Sequence, residues 1–130
     1  MNDFSTALDI VASGMQAQSA RLRHVSENIA NADTPGYRRK TVSFEAEMEA
    51  GRPTGGVTPG PVRLDRSELA EIFDPAHPLA GDDGIYRGSN VDLLIEIADS
   101  REAQRSYEAN LKMFEQIRQM STSLMDLLRR

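Results

Sequence analysis

Apolar side chains recur at steps of three and four residues near both ends of this chain, and that spacing constrains the fold more than any other feature. Residues 91–130 show such spacing and contain neither Gly nor Pro. The periodicity is typical of one apolar face of an α-helix, so we predict a long amphipathic helix at each terminus. The N-terminal stripe, with Gln18 in its one polar position, consists of Phe4, Leu8, Val11, Met15, Leu22, Val25 and Ile29.

The stripes also indicate how the two helices pack. The N-terminal stripe repeats every seven residues, which is the period of coiled coils. The C-terminal stripe follows two overlapping registers, which widen its apolar face, so we expect this helix to contact more than one partner. We predict a mainly α fold in which helices 1–31 and 89–130 pair as a coiled-coil-like hairpin, with Ser89 as the N-cap of the second helix. The C-terminal stripe consists of Tyr107, Leu111, Phe114, Ile117, Leu124 and Leu128.

Residues 32–88 separate the helices and differ from them in composition. All six prolines and eight of the nine glycines lie there. These residues favour turns and interrupt helices, so we expect a short irregular middle segment with two or three short strands. In detail, the pattern predicts an extended run over 38–44, a helical turn or two over 45–50, a loop over 51–61, turns over 74–78 and 81–84, and strands over 62–65 and 85–87.

The end of the first predicted helix carries strong turn signals. Thr34 precedes a proline, which disfavours helical geometry at that residue. Pro35 and Gly36 suit the two central positions of a type II turn, because proline fixes φ at the first and glycine permits a positive φ at the second. We therefore predict that the helix ends here in a turn. The segment contains Ala30, Asn31, Thr34, Pro35, Gly36 and Tyr37.

Composition argues against several classes of function. The net charge of −5 disfavours nucleic-acid binding, because a phosphate backbone attracts a surplus of Lys and Arg. The chain has no cysteine, which excludes disulfides and thiol chemistry. No apolar run approaches the length of a membrane span, so we expect no membrane insertion. The N-terminus has no basic region followed by an apolar run, so we expect no cleaved signal peptide.

No pattern of residues predicts an enzyme, a cofactor or a metal site. His24 and His77 are far apart in sequence and lack the spacing of a metal site. Asp82 and Asp83 lie in a Gly-rich turn but lack the spacing of a calcium loop. The basic run 38–40 has two interpretations: an anionic partner or, preferred here, an edge strand with solvated charges. We therefore predict a non-enzymatic protein without catalytic residues.

Three segments resemble the bacterial flagellar rod and hook family. Residues 30–37 match its Ala-Asn-x-x-Thr-x-Gly-Tyr signature, and residues 12–18 resemble its N-terminal helix. Residues 100–110 are similar to its Arg-x-x-Gln-x-Tyr-x-Ala-Asn segment. The short length and the runs 37–41 and 74–78 narrow the resemblance to a proximal rod member. The alternatives are the sister rod protein FlgB and a non-flagellar coiled-coil adaptor or secretion chaperone.

The resemblance implies a structural subunit of the flagellar basal body that polymerises through its terminal helices into the rod and transmits motor torque to the hook. Residues 1–31 and 89–130 would form the inner core of the rod, and residues 32–88 an outer segment. The implied subunit interface consists of the two apolar stripes. The implied partners are further copies of the chain, the sister rod proteins FlgB, FlgF and FlgG, the adaptor FliE and the flagellar type III export apparatus.

The resemblance also implies a location and a route. The rod lies in the periplasm, and family members are exported unfolded through the type III apparatus without a cleaved leader. Phe4 and Leu8 resemble the Phe-x-x-x-apolar element that engages the export gate. The same two residues belong to the first turns of the apolar stripe, and the two roles are compatible.

Overall fold

The computed structural model describes residues 2–130, which form two long helices separated by six short strands. Helix α1 spans Asn2–Ala30 and helix α2 spans Leu93–Leu128, so half of the chain is helical. This confirms the predicted pair of helices with a strand-containing middle. No helix within residues 2–130 is long and apolar enough to cross a membrane. The strands are β1 Lys40–Thr41, β2 Phe44–Glu49, β3 Arg52–Pro59, β4 Arg63–Leu64, β5 Glu71–Phe73 and β6 Ile85–Arg87.

Helices α1 and α2 lie side by side and run antiparallel. Asn28, near the end of α1, contacts Glu96 near the start of α2. Gly14, in the middle of α1, lies next to Asn110, which is farther along α2. The start of α1 therefore lies beside the last turns of α2.

The N-cap of α2 is Asp92 and not Ser89. The Asp92 carboxylate accepts a hydrogen bond of 3.0 Å from the backbone N–H of Leu94, one of the groups that a helix start leaves free. Ser89 is buried, and its hydroxyl donates to the carbonyl of Ala32. The capping prediction was wrong because Ser89 has a tertiary partner that sequence spacing does not reveal.

Strands β1 to β4 form one long antiparallel ribbon. Strand β1 pairs with β4 and β2 pairs with β3. A hydrogen bond of 2.7 Å from the N–H of Gly60 to the carbonyl of Ser43 joins the two pairs. The tip of the ribbon is the two-residue turn Ala50–Gly51, in which both residues have positive φ, as a tight β-hairpin requires.

Two predictions for this ribbon were wrong. The predicted helical turn over 45–50 is mostly strand β2, and the predicted loop over 51–61 contains strand β3. Ala, Glu and Met in the first segment are good helix formers. Pairing between the two segments nevertheless satisfies their backbone groups as strands. The Gly and Pro residues of β3 are tolerated because both strands of a two-stranded ribbon are edge strands.

The ribbon packs along α1, which is consequently enclosed by both α2 and the ribbon. The N–H of Val57 donates to the hydroxyl of Ser13 at 3.0 Å. Gly55 has a φ of +88° and approaches α1 so closely that a Cβ there would lie 3.0 Å from Cδ1 of Ile10. The buried apolar core is small and consists of Val11, Ala17 and Val25 on α1 and Ala103 on α2.

Strands β5 and β6 form a separate pair, in which Phe73 lies opposite Ile85. Between them the chain makes the predicted turns, closed by hydrogen bonds within 74–77 and within 81–84. Among residues 2–130 the strands therefore number six and not two or three. The additional strands β2, β3 and β5 escaped prediction because each is held by a partner strand and not by a local sequence pattern.

Candidate functional site

The signature turn closes the C-terminal end of α1. The N–H of Tyr37 donates to the carbonyl of Thr34 at 3.2 Å, and Gly36 has a φ of +77°. These are features of the predicted type II turn. A Cβ on Gly36 would meet nothing within 4 Å, so backbone conformation alone requires glycine there. The N–H of Gly36 also donates to the carbonyl of Gly88 at 3.1 Å, which joins the turn to the segment before α2.

The other signature residues stabilise the helix end. The Asn31 amide donates to the carbonyl of Glu27 at 2.8 Å and accepts from the Thr34 hydroxyl at 3.1 Å. Ala30 and Pro35 are exposed. The Asn31 amide thus adds a second donor to the Glu27 carbonyl, which also accepts the backbone N–H of Asn31 at 3.1 Å.

A cluster of polar side chains, here called the junction, lies under this turn and consists of Asn28, Tyr37, Arg39, Asn90 and Glu96. Asn28 is only 1% exposed. Its Nδ2 donates to the Lys40 carbonyl at 2.9 Å and to the Glu96 carboxylate at 3.2 Å. Its Oδ1 accepts from the Tyr37 hydroxyl at 2.8 Å and the Lys40 N–H at 2.9 Å. Because an amide offers two donors and two acceptor sites, Asn28 is fully satisfied and links α1, the turn, β1 and α2.

Glu96 brings a charge into the junction. Its side chain is 0% exposed, and its carboxylate accepts from Nε of Arg39 as well as from Asn28. The Arg39 guanidinium also donates from Nη2 to Asp99 at 2.9 Å. A carboxylate removed from water requires partners of this kind. Arg39 therefore connects the base of the ribbon to the first two turns of α2.

Asn90 holds the segment before α2 against the ribbon. Its Oδ1 accepts from the backbone N–H of Arg39 at 2.6 Å. Its Nδ2 donates to the carbonyl of Asp65 at 2.9 Å. One side chain thus contacts both arms of the ribbon at its base.

The interpretation of residues 38–40 as an edge strand with solvated charges was wrong for the charges, although Lys40 does lie on the edge strand β1. Arg38 donates to the carbonyl of Ser67 at 2.9 Å, and Nζ of Lys40 donates to the Glu27 carboxylate at 2.8 Å. Arg39, between them, bonds to α2. All three cationic side chains therefore have partners within the chain, and these partners lie on α1, on α2 and in the segment after β4.

These contacts perturb several titratable groups. The hydrogen bond from Lys40 lowers the pKa of Glu27, and the same contact raises the pKa of Lys40. A hydrogen bond from the N–H of Ser67 lowers the pKa of Asp65. Burial raises the pKa of the Tyr37 phenol, whose hydroxyl donates to Asn28.

The apolar stripes differ in how far the single chain covers them. The stripe residues of α1 are buried or partly buried, except for Ile29, which is exposed. Met15 lines an open groove with Tyr107, Leu111 and Phe114 of α2. The structure thus brings these four predicted interface residues together. Buried stripe residues are Val11 and Val25; partly buried ones are Phe4, Leu8, Met15, Leu22, Tyr107, Phe114 and Ile117; exposed ones are Ile29, Leu111, Leu124 and Leu128.

The end of the helix pair opposite the junction, here called the open end, consists of Phe4, Met120, Leu124, Leu127 and Leu128. The first four of these residues line a shallow groove between the first turn of α1 and the last turns of α2. Leu127 is 65% exposed and Leu128 is 73% exposed. Contiguous exposed apolar surface of this kind is typical of protein interaction sites.

Comparison with known proteins links these features to one family. The family model described as "Flagella basal body rod protein" matches residues 8–38. The model described as "Flagellar basal body rod FlgEFG protein C-terminal" matches residues 83–127. The flagellar basal-body rod protein FlgC of Agrobacterium fabrum is 45% identical over 99% of this chain and 98% of its own length.

This chain belongs to the FlgC family of flagellar basal-body rod proteins. The FlgC protein of Salmonella typhimurium is 33% identical over 92% of this chain and 93% of its own length. That of Aquifex aeolicus is 37% identical over 88% of this chain and 89% of its own length. The match to FlgC confirms the predicted family, and neither the sister protein FlgB nor a non-flagellar adaptor is favoured. FlgC proteins are structural proteins of the basal-body rod.

The histidines and the acidic turn have their neighbours within the chain. His77 stacks on Tyr86 with ring centroids 3.8 Å apart. His24 lies 3.7 Å from the Glu27 carboxylate, and Asp83 accepts a backbone N–H two residues ahead. Within residues 2–130, no group of three or more His, Asp or Glu is placed to hold a metal ion.

Of the five junction residues, only Tyr37 was among the predicted site residues; those that were missed are Asn28, Arg39, Asn90 and Glu96. One signal was available, because Glu96 interrupts the apolar run 93–97. A carboxylate inside an apolar run is a candidate for a buried, paired charge. Its partners could not be identified, since Asn28 lies 68 residues away in sequence.

Proposed function

We propose that this chain is a structural subunit of the proximal rod of the flagellar basal body, which polymerises into the shaft that transmits motor torque to the hook. Membership of the FlgC family supports the proposal. One structural observation carries it further: α2 exposes apolar side chains at both ends, with Leu94 at 79% and Leu128 at 73% exposure. Burying such surface contributes about 25 cal/mol per Å², so neighbouring subunits would be held firmly.

In this proposal the segments 1–31 and 89–130, which contain helices α1 and α2, pair in coiled-coil fashion and form the inner core of the rod. Residues 32–88 form the outer segment. The two apolar stripes contribute the subunit interface, partly within one subunit and partly between subunits. The exposure of Leu111, Leu124 and Leu128 supports this division. A head-to-tail contact whose rotation does not close produces a helical array, which is the symmetry of a shaft.

The proposed partners are other copies of this chain, the sister rod proteins FlgB, FlgF and FlgG, the adaptor FliE and the type III export apparatus. The proposed location is the periplasmic rod, reached by export without a cleaved leader. The family supports contact with other rod proteins. The open end supports an apolar, helical partner, because its groove is lined mainly by apolar side chains from two helices.

Phe4 and Leu8 are proposed to engage the export gate before folding and the helix seam afterwards. In the folded chain both are partly buried, and Phe4 lines the groove of the open end. Phe4→Ala should reduce the amount of subunit that reaches the periplasm, measured by fractionation. Leu128→Ala, outside the element, should be exported normally. Equal export of both variants would contradict a role of Phe4 in engaging the export gate and would leave only its role in the helix seam.

The proposed function is tested by electron cryotomography of basal bodies in a deletion strain. We expect membrane rings without a proximal rod, and recovery of the rod with the wild-type gene. Leu127→Asp should fail to restore the rod, because it places a charge on the open end. Thr122→Asp adds the same charge at an exposed polar position of α2 and should restore it. A complete rod and hook in the deletion strain would contradict the proposal.

A further inference from the structure

The apolar seam between α1 and α2 does not by itself select one register. On α1, Leu8, Met15, Leu22 and Ile29 recur at intervals of seven residues. On α2, apolar residues also recur at that interval, as at 107 and 114 and at 117 and 124. Sliding one helix by seven residues, about 10 Å along the axis, would again place apolar side chains against apolar side chains. Another feature must therefore determine the register.

The buried polar pair of the junction keeps its present hydrogen bonds in one register alone. Asn28 and Glu96 contact each other directly and are 1% and 0% exposed. A shift of α2 by seven residues in one direction would place Ala103 beside Asn28. A shift in the other direction would move Glu96 toward Arg21. Either shift separates Asn28 from Glu96. This is strongly unfavourable because both side chains are buried and would lose hydrogen bonds that water does not replace.

A second position in the same seam favours the same register through steric fit. A Cβ on Gly14 would lie 2.9 Å from Nδ2 of Asn110, so the missing side chain of glycine leaves room for the asparagine. In either shifted register Asn110 would face Ala7 or Arg21, where a side chain is present. A single asparagine among apolar seam positions can select a register in paired helices at a cost in stability.

We propose that Asn28, Glu96 and Asn110 determine the register of the helix pair, whereas the apolar stripes provide its affinity. Register decides where the signature turn, the ribbon and the open end lie relative to one another. If α1 and α2 paired with a shift of seven residues, the exposed apolar side chains of the subunit would be displaced by about 10 Å. The polar positions thus act as specificity-determining residues for assembly. The proposal concerns the isolated chain and stands independently of its place in the rod.

The register can be measured in the full-length protein by pulsed electron paramagnetic resonance. The chain has no cysteine, so nitroxide labels attach at introduced cysteines alone. Ser26 and Glu115 are exposed and far apart along the helix pair, which makes their separation sensitive to sliding. The otherwise unsubstituted protein should show one narrow distance. The quadruple variant Asn28→Leu, Arg39→Met, Glu96→Leu, Asn110→Leu, which removes both polar positions, should show a second distance displaced by about 10 Å.

The matched control removes different contacts between the same helices. Arg21 lies 3.4 Å from Asp99 and 3.4 Å from Glu102, whose side chains are 29% and 67% exposed. The double variant Arg21→Met, Glu102→Leu should keep one distance. If the quadruple variant lacks helical circular dichroism, the double variant Asn28→Leu, Asn110→Leu replaces it and should add the shifted distance, because it removes one polar side chain at each of the two positions. One unshifted distance in a folded test variant, or two distances in the unsubstituted protein, would overturn the proposal.

Discussion

The junction and the open end are the two ends of the same helix pair, and they are built from opposite chemistry. The junction is polar and buried: Asn28 uses every hydrogen-bonding position, and Glu96 is paired with Arg39. The open end is apolar and exposed, with Leu127 and Leu128 largely in solvent. Directional hydrogen bonds make one arrangement of the chain much better than its alternatives. Non-directional apolar surface favours association with whatever complementary surface is offered.

This contrast teaches that one chain can use different residues to determine its own fold and to bind its neighbours. Substitutions at the junction should act on the stability of the single subunit. Substitutions at the open end should act on assembly and leave the subunit nearly unchanged. The following predictions test that division.

The largest effect is expected for Arg39→Met. It leaves the Glu96 carboxylate buried with its main cationic partner removed, and breaking a buried pair in this way costs about 3–5 kcal/mol of unfolding free energy. Urea denaturation measures it. Arg87→Met is the control, because Arg87 and Glu71 form an exposed pair at 3.2 Å that contributes less than about 1 kcal/mol. Similar losses of unfolding free energy in the two variants would show that the buried pair contributes no more to stability than an exposed pair does.

A smaller effect is expected for Gly36→Ala, which forces a side chain into left-handed geometry at about 1–2 kcal/mol. Gly51→Ala is a closely matched control, because φ is +77° at Gly36 and +78° at Gly51, and a Cβ at either meets nothing within 4 Å. Thermal unfolding should show comparable destabilisation of both variants. Swimming should be impaired by Gly36→Ala alone, since only that turn is bonded to the segment before α2. Normal swimming by that variant would contradict the prediction.

Acid should weaken the junction side of the molecule. The folded pKa of Glu27 lies below its ordinary value of 4.5, so its contribution to stability is present at neutral pH and is lost as pH falls from about 4.5 through the lowered pKa. Asp65 behaves likewise from about 3.8 downward. Circular dichroism melts from pH 6 to pH 3 measure the decline. Lys40→Met should flatten the part due to Glu27, and an unchanged slope would refute that assignment.

The smallest change in subunit stability is expected for Leu127→Ala. Its side chain is 65% exposed, and a substitution at such a site alters the unfolding free energy by less than about 0.5 kcal/mol. Val11→Ala, at a buried position of α1, should cost about 2 kcal/mol. Leu127→Ala should nevertheless reduce motility more than Val11→Ala does. A large loss of stability in Leu127→Ala would mean that the open end belongs to the core of the subunit.

Sequence reasoning succeeded wherever the signal was local. The periodic stripes predicted both helices, and Pro35 with Gly36 predicted the turn that ends the first. It failed for strand β3, whose Gly and Pro residues resemble a loop. It also failed for the basic run 38–40, whose partners are as far away as Glu96. Neither failure was avoidable from spacing alone, because strand pairing and ion pairing join positions remote in sequence.

The sequence by itself determined two amphipathic helices, a type II turn and a flagellar family, because hydrogen bonds within a helix and φ preferences in a turn depend on adjacent residues. Tertiary structure alone decided which polar side chains meet beneath the turn, and that the ribbon lies along α1. It also decided which apolar residues stay exposed after the chain has folded. The physical reason is that burial depends on which distant surfaces come together, and the ribbon shields α1 while leaving much of α2 open.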